Sequence, residues 1–155
     1  NSLVFEKEAA MQLERYYNYK KYLANTGFGY PKARRVTLDA GFTCPNIDGT
    51  VARGGCTYCN NKGFSPGTRL RGQAILEQLN KNVPFLAARY KTNEFIAYFQ
   101  AYTNTYAPLA ELQELYESAL QHPNVVGIAI GTRPDCLADD VLEYLDRLAQ
   151  KIQKS

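Results

Sequence analysis

The segment NVVGIAI, residues 124–130, is a run of apolar residues of strand length, preceded by His-Pro and followed by Gly-Thr-Arg-Pro. A continuous apolar run, rather than an alternating one, is typical of a strand that is covered on both faces, as in parallel sheets. We therefore predict a parallel sheet in which this segment is one of the strands.

The rest of the chain alternates between strand and helix patterns. Short strands are predicted at residues 34–42, RRVTLDAGF, and at residues 94–100, EFIAYFQ. Apolar residues at helical spacing predict helices at residues 72–86, 109–120 and 137–152. Pro84 should end or kink the first of these helices. Three successive β-loop-α units favour an α/β fold with a parallel sheet and right-handed crossovers.

The length and composition of the chain fit one globular domain. It has 155 residues, of which 45% are hydrophobic and 21% are charged. Residues 1–33 are predicted to be an N-terminal helical extension, with a helix at residues 5–23, and residues 34–155 to hold the three βα units. Tyrosines and basic residues interleave in this helix. Such a mixture can bind single-stranded nucleic acid, but packing of the tyrosines on the fold is the simpler interpretation.

The cysteines and the apolar runs indicate the cellular compartment. The longest apolar runs are far too short to cross a bilayer, and the N-terminus lacks the layout of a signal peptide. Four cysteines are too few for a disulfide scaffold, and a tight cysteine cluster in a reducing compartment is more often a metal site. We therefore predict a cytoplasmic protein with no membrane partner.

Three loops follow the predicted strands. They are DAGFTCPNIDGTVARGGCTYC, residues 39–59, AYTNTYAP, residues 101–108, and GTRPDC, residues 131–136. In parallel βα folds the functional loops lie at the carboxyl ends of the strands. These loops should therefore converge on one face of the sheet.

The first of these loops has the spacing C-x11-C-x2-C, with cysteines at Cys44, Cys56 and Cys59. Thiolates select zinc or an iron-sulfur cluster, but a structural zinc site needs four ligands. The candidates for a fourth are Cys136 and His122, the only histidine. Three alternatives stay open on this spacing: free buried cysteines, a zinc site closed by Cys136, and a cubane cluster that leaves one iron without a protein ligand.

Three sequence blocks resemble the radical S-adenosylmethionine (SAM) superfamily, and more closely its YhcC-like subfamily of Fe-S oxidoreductases, which is related to the elongator catalytic subunit. The blocks are DAGFTCPNIDGTVARGGCTYC, YFQAYTNTYAP at residues 98–108 and IGTRPDC at residues 130–136. The resemblance runs from about residue 16 to about residue 148. The spacing of eleven departs from the superfamily's common C-x3-C and follows the subfamily, while Cys-Thr-Tyr-Cys keeps the common pattern.

This resemblance implies a [4Fe-4S] cluster on Cys44, Cys56 and Cys59, with SAM bound to the fourth iron. The reduced cluster would cleave SAM to a 5′-deoxyadenosyl radical, which abstracts hydrogen from a substrate. No residue of this chain is assigned as a catalytic acid, base or nucleophile.

The resemblance also implies contacts to SAM. Tyr58, before the last cysteine, would lie against adenine. Three residues occupy the place at the end of the second strand that usually holds the methionine amino group: Gln100, Thr103 and Asn104. Arg133 would face the SAM carboxylate or a substrate, because a guanidinium fork suits carboxylates. The structural alternatives are loop packing for Tyr58, bonds to turn backbone for Gln100 and Asn104, and an ion pair between Arg133 and Asp135.

The resemblance finally concerns the extent of the chain and its substrate. Three βα units are about half of a partial TIM-type barrel, so the chain is expected to be the N-terminal part of a radical SAM core and to be inactive when isolated. An exposed edge strand would favour self-association. Relatives linked to wobble-uridine modification make transfer RNA a candidate substrate. The rival interpretation is a non-enzymatic zinc-binding or RNA-binding module.

Overall fold

The structure is a computed structural model that describes residues 16–25, 29–60 and 74–153. The chain divides into two compact units, Asn1–Pro31 and Lys32–Ser155. In the first unit, helix α1 spans Tyr19–Asn25. The Asn18 side chain accepts a hydrogen bond from the backbone N–H of Lys21 at 3.0 Å, as an N-cap does.

This cap starts the helix later than the sequence predicts. Residues 16–18 are not helical, so the prediction of a helix at residues 5–23 is wrong for them, and the helix continues to residue 25. Residues 5–15 of that prediction lie outside the described residues.

The second unit has a mixed α/β fold built on an open parallel sheet. Its three strands pair in the order β1-β2-β3: β1 at Arg34–Leu38, β2 at Phe95–Phe99 and β3 at Val125–Ile130. A short helix and three longer ones connect and follow them: α2 at Pro45–Asp48, α3 at Ile75–Tyr90, α4 at Leu109–Leu120 and α5 at Asp139–Gln153. The three predicted β-loop-α units and the parallel sheet are confirmed.

The core lies between one face of the sheet and the long helices. Val36 and Phe99 from the sheet, and Leu79 and Leu112 from the helices, belong to one cluster of buried side chains. Tyr116 of α4 joins it and meets the ring of Phe99 edge-on, with 5.1 Å between centroids. Fully burying one such side chain stabilises the fold by about 1.5–3 kcal/mol. The buried side chains of this face therefore hold the helices in position on the sheet.

Strand β3 is less covered than its sequence predicts. Val125 and Gly127 are buried, whereas the other four residues of the strand are partly exposed. The continuous apolar run therefore predicts the parallel pairing correctly but not complete coverage of both faces within the described residues.

The sequence predicts that Pro84 ends or kinks helix α3; the helix does not end there but continues to Tyr90. A proline removes one helical hydrogen bond, but here Pro84 and Asn80, four residues before it, are both exposed, and water can satisfy the freed carbonyl. The helix ends instead at Lys91, which has φ 51° and donates its N–H to the Ala87 carbonyl at 2.8 Å.

Strand β1 ends at Leu38 rather than at residue 42, because Asp39 starts a turn. One carboxylate oxygen of Asp39 accepts the Gly41 N–H at 2.8 Å. The buried side chain of Gln78, on α3, accepts the Asp39 N–H at 2.9 Å and donates to the Asp39 carbonyl at 2.7 Å. The entry to the cysteine loop is therefore fixed to α3.

None of the helices in the described ranges combines the length and the apolar character that crossing a bilayer would require.

Candidate functional site

The carboxyl ends of the three strands surround a cavity of about 470 Å³. All three loops that follow the strands contribute to its lining, which confirms that they converge on one face. Seven of the residues that the sequence predicts as site residues line it: Cys44, Cys56, Tyr58, Cys59, Gln100, Thr103 and Arg133.

The cysteine loop is folded back on itself by backbone hydrogen bonds. Cys44 precedes α2, which begins with Pro45, a residue suited to the first helical position. Gly49 ends this helix with φ 98°, a left-handed conformation that glycine adopts without strain. The Gly55 N–H then bonds to the Asn46 carbonyl at 2.9 Å. This contact brings the second half of the loop back beside the first.

Backbone hydrogen bonds also join the three loops to one another. The Thr103 N–H donates to the Thr43 carbonyl at 3.1 Å, and the Asn104 N–H donates to the Gly131 carbonyl at 3.1 Å. The middle loop is thereby connected to the loop on either side. These bonds hold the walls of the cavity at a fixed separation.

Side-chain donors surround the thiols of Cys44 and Cys56. Asn46 Nδ2 donates to Cys56 Sγ at 3.0 Å, and this bond, with a second from Tyr58, lowers the pKa of the Cys56 thiol. Burial raises the pKa of Cys44, but hydrogen bonds from the Thr103 side chain and from the Asn46 backbone outweigh it, so the net pKa is lowered. Both thiols are therefore shifted toward the thiolate form that binds metal.

Arg133 forms the ion pair with Asp135 that was the structural alternative for this residue, and it also lines the cavity. Its guanidinium forms a two-pronged ion pair with Asp135, at 2.9 and 2.6 Å, which lowers the pKa of the Asp135 carboxyl. Its remaining nitrogen, Nη1, lies 3.8 Å from Cys44 Sγ. The ion pair holds the arginine while one prong stays directed at the cavity.

The other predicted SAM contacts differ in their positions. Tyr58 lines the cavity and is 84% exposed, so its ring is available to a bound molecule. Asn104 is fully buried and is not in the lining; its Nδ2 donates to the carbonyls of Phe99 and Gly131, at 3.2 and 2.8 Å. Asn104 thus lies beneath the cavity and hydrogen-bonds to backbone carbonyls, which agrees with the alternative that its side chain satisfies turn backbone.

The two candidates for a fourth metal ligand lie elsewhere. Cys136 lines a second cavity, of about 630 Å³, rather than the one that contains the three cysteines. His122 is buried just before the amino end of β3, where its Nδ1 accepts the Asn124 N–H at 3.2 Å. Across residues 16–25, 29–60 and 74–153, no three His, Cys, Asp or Glu side chains are grouped closely enough to hold one metal ion.

Six of the described lining residues were not predicted from the sequence: Asn46, Ile47, Gly55, Tyr98, Tyr102 and Thr132. Asn46, the donor to Cys56, could have been found from its place two residues after the first cysteine. Tyr102 lines the cavity with φ 64°, a conformation that is rare for an aromatic residue and that clusters at functional sites. Nothing in its sequence neighbourhood indicates that conformation.

Comparison with known proteins gives relatives without an assigned activity in their names. The chain is 44% identical over 138 residues to the uncharacterized protein YtqA of Bacillus subtilis strain 168. It is 45% identical over 116 residues to protein YhcC of Escherichia coli strain K12. It is 33% identical over 116 residues to the uncharacterized protein MJ0486 of Methanocaldococcus jannaschii.

These relatives are much longer than the matched region. The alignments cover 89%, 74% and 74% of this chain, but only 42%, 36% and 34% of the respective relatives. The chain therefore spans less than half the length of the relatives that it matches. No protein-family model matches the chain, and no solved structure matches it.

Proposed function

We propose that the chain is the N-terminal part of a radical SAM enzyme core, in which Cys44, Cys56 and Cys59 hold a [4Fe-4S] cluster. The observation that carries this proposal is the shared cavity: three thiols from one loop line it, at the carboxyl ends of parallel strands. No carboxylate or imidazole is among its lining residues. An all-thiol ligand set is the one that iron-sulfur clusters use.

The number of thiols supports a cluster over a closed zinc site. Thiolates select zinc or an iron-sulfur cluster, and three of them are one fewer than a structural zinc site needs, whereas a cubane cluster can leave one iron without a protein ligand. The N–H groups of Asn46 and Arg133 that lie against the sulfurs of Cys56 and Cys44 would stabilise the thiolates. Hydrogen bonds to cluster sulfurs also set the reduction potential.

When bound, the cluster supplies one electron for the reductive cleavage of SAM to the 5′-deoxyadenosyl radical. The residues of this chain would bind and orient SAM. Arg133, held in place by Asp135, would present a guanidinium to the SAM carboxylate, and the exposed ring of Tyr58 would lie against adenine. Gln100 and Thr103 line the cavity and would hold the methionine amino group, while Asn104 supports the same loop from beneath.

Three finer features belong to the same proposal. Further βα units would extend the sheet from β3 toward a partial TIM-type barrel, and in the 155-residue chain an open edge would favour self-association. Free thiols suit the reducing cytoplasm. Transfer RNA is a candidate substrate for modification, and only the resemblance to the radical SAM subfamily supports it.

Anaerobic reconstitution with iron and sulfide tests the cluster. We expect brown protein whose visible absorption is bleached by dithionite. Cys59→Ser should lose this absorption, whereas the matched variant Cys136→Ser should keep it, because Cys136 lies outside the cavity. Colourless protein that binds zinc, with Cys136→Ser losing the metal, would instead establish the rival zinc module.

Titration of the reconstituted chain with SAM tests the cofactor site. Arg133→Ala should weaken binding by about 10- to 100-fold, the effect of losing a charge-assisted hydrogen bond. Arg147→Ala is the control, since Arg147 is an exposed arginine on α5, away from the loops. Equal affinities for the two variants would remove Arg133 from the SAM site.

A further inference from the structure

A group of cations lies at the end of the sheet opposite the cysteine cavity. Lys32 and Arg34 are at the amino end of β1, and Arg89 and Lys91 are at the carboxyl end of α3. All four side chains are exposed. Together with Tyr90 these four residues form what we call the basic surface. The function proposed above for the cysteine cavity does not involve it.

The aromatic residue fixes the two arginines. The guanidinium carbon of Arg34 lies 5.4 Å from the centroid of the Tyr90 ring, and that of Arg89 lies 5.6 Å from it. These distances are those of cation–π contacts, which restrict where the guanidinium groups point. Tyr90 is 44% exposed, so the group is accessible. Two guanidinium forks are thus held at the surface before any partner arrives.

The two lysines lie beside an open cavity. A cavity of about 530 Å³ is lined by Lys32 and Lys91, and Glu94 is the only carboxylate in its lining. In the part of the chain that the structure describes, no salt bridge neutralises either lysine. Among the described residues of this surface and its cavity, four cations face one carboxylate, so the surface carries net positive charge.

Helix stability alone does not account for these charges. Cations at the carboxyl end of a helix interact favourably with its dipole, which would explain Arg89 and Lys91. Lys32 and Arg34 precede and begin a strand and so are not part of that helix, although both lie beside its carboxyl end, Arg34 on the Tyr90 ring and Lys32 in the cavity that Lys91 lines. Lys91 also occupies a left-handed position, with φ 51°, where glycine is favoured and another residue costs about 1–2 kcal/mol.

We propose that the basic surface binds the phosphate backbone of a single-stranded nucleic acid. Arginine forks suit phosphate oxygens, and a positively charged surface that follows the backbone is typical of proteins that bind single strands. Four cations spread over a strand and a helix end suit several successive phosphates better than one free phosphate. The large apolar side chains that would insert into a lipid surface are lacking among these five residues.

This proposal does not depend on the cluster. The surface lies at the amino ends of the strands and the thiols lie at the carboxyl ends, so binding can be measured on protein without iron. Failure of nucleic-acid binding would leave the cluster proposal unaffected, and failure of reconstitution would leave this one unaffected.

The experiment measures fluorescence anisotropy of a labelled single-stranded RNA of about 20 nucleotides, longer than the roughly 4–16 nucleotides that single-strand sites cover. The affinity is measured at several salt concentrations. Anionic phosphatidylserine vesicles and inorganic phosphate are then added in turn as competitors of the bound RNA. We expect Lys32→Glu/Lys91→Glu to bind about tenfold more weakly. The slope of log affinity against log salt should fall by about 0.7 for each lost contact.

The matched control is Lys81→Glu/Arg147→Glu, which changes two exposed cations elsewhere and lowers the net charge by the same amount. It should keep the wild-type slope. Equal weakening of both double variants, absence of RNA binding by the wild type, displacement of the RNA by vesicles, or displacement by phosphate beyond that caused by chloride at the same ionic strength would each overturn the proposal. If circular dichroism shows that the glutamate variant is unfolded, Lys32→Gln/Lys91→Gln replaces it.

Discussion

Replacing Gln78 by methionine tests whether α3 holds the entry to the cysteine loop. The Gln78 side chain is fully buried and makes both hydrogen bonds to the backbone of Asp39, itself only 2% exposed. Methionine has a similar shape and volume, so the packing should change little. The substitution therefore removes the two hydrogen bonds and leaves a buried N–H and a buried carbonyl without partners.

The expected cost follows from those two groups. Each buried polar group that loses its partner costs about 1–3 kcal/mol, so Gln78→Met should lower the free energy of unfolding by about 2–6 kcal/mol. A domain of this size has a free energy of unfolding of about 5–15 kcal/mol, so the variant should remain folded but with a much lower denaturation midpoint.

Urea denaturation followed by circular dichroism gives the free energy of unfolding. The control is Asn80→Met, an exposed position on the same helix, which should stay within about 0.5 kcal/mol of the wild type. A Gln78→Met variant as stable as this control would refute the reasoning, because it would mean that water or a rearranged loop satisfies Asp39.

The remaining predictions concern the tyrosines and the loop contacts. Burial raises the pKa of Tyr144 to about 12 and raises that of Tyr116 as well; their contribution to stability is therefore intact below about pH 10, the pKa in the unfolded chain, and is lost as the pH rises toward the folded values. The urea midpoint should therefore be lower above about pH 10 than below it. Tyr144→Phe removes a buried hydroxyl that has no partner among the described residues, so it should make this decrease smaller and leave the free energy of unfolding near pH 7 unchanged. A decrease as large as that of the wild type would contradict the assignment. Asn104→Ala should destabilise the chain by about 2–3 kcal/mol in the same assay, because it removes a buried side chain and two hydrogen bonds, whereas a change below 0.5 kcal/mol would show that these contacts are dispensable. Tyr106→Phe removes the 2.9 Å hydrogen bond to the Thr50 hydroxyl and should speed proteolysis of the cysteine loop with little change in unfolding free energy. Thr50→Val also removes the 2.7 Å bond to the Asp48 carboxylate and should speed proteolysis at least as much.

Much of the fold follows from the sequence because the sheet is buried on its helix side. The segment 109–120 is a helix with the predicted bounds, and the strands at 94–100 and 124–130 are each shorter by one or two residues. The errors occur where a local interaction overrides the pattern. Asp39 ends β1 through its own turn, and α3 continues past Pro84 because that part of the helix faces water.

The cysteines of the candidate site and the loops that form it were predictable from the sequence, but its full lining and its geometry were not. Cysteine spacing and strand-end positions place the three thiols and Arg133 on one face, as observed. Whether a polar residue of the loop faces the cavity or the core depends on the backbone conformation of the loop, which the sequence pattern does not predict. Asn104 and Thr103 are adjacent and similar in polarity, yet only Thr103 lines the cavity.

The loops around the cavity are joined through main-chain atoms, from Thr103 to Thr43 and from Asn104 to Gly131. Such bonds are the same whichever side chains the loops carry. Substitutions that reline the cavity can therefore accumulate one at a time without moving its walls. A protein built in this way can exchange one ligand for another over evolutionary time while keeping its cysteine loop in place, and an engineer could follow the same route by altering Gln100 or Thr132 first.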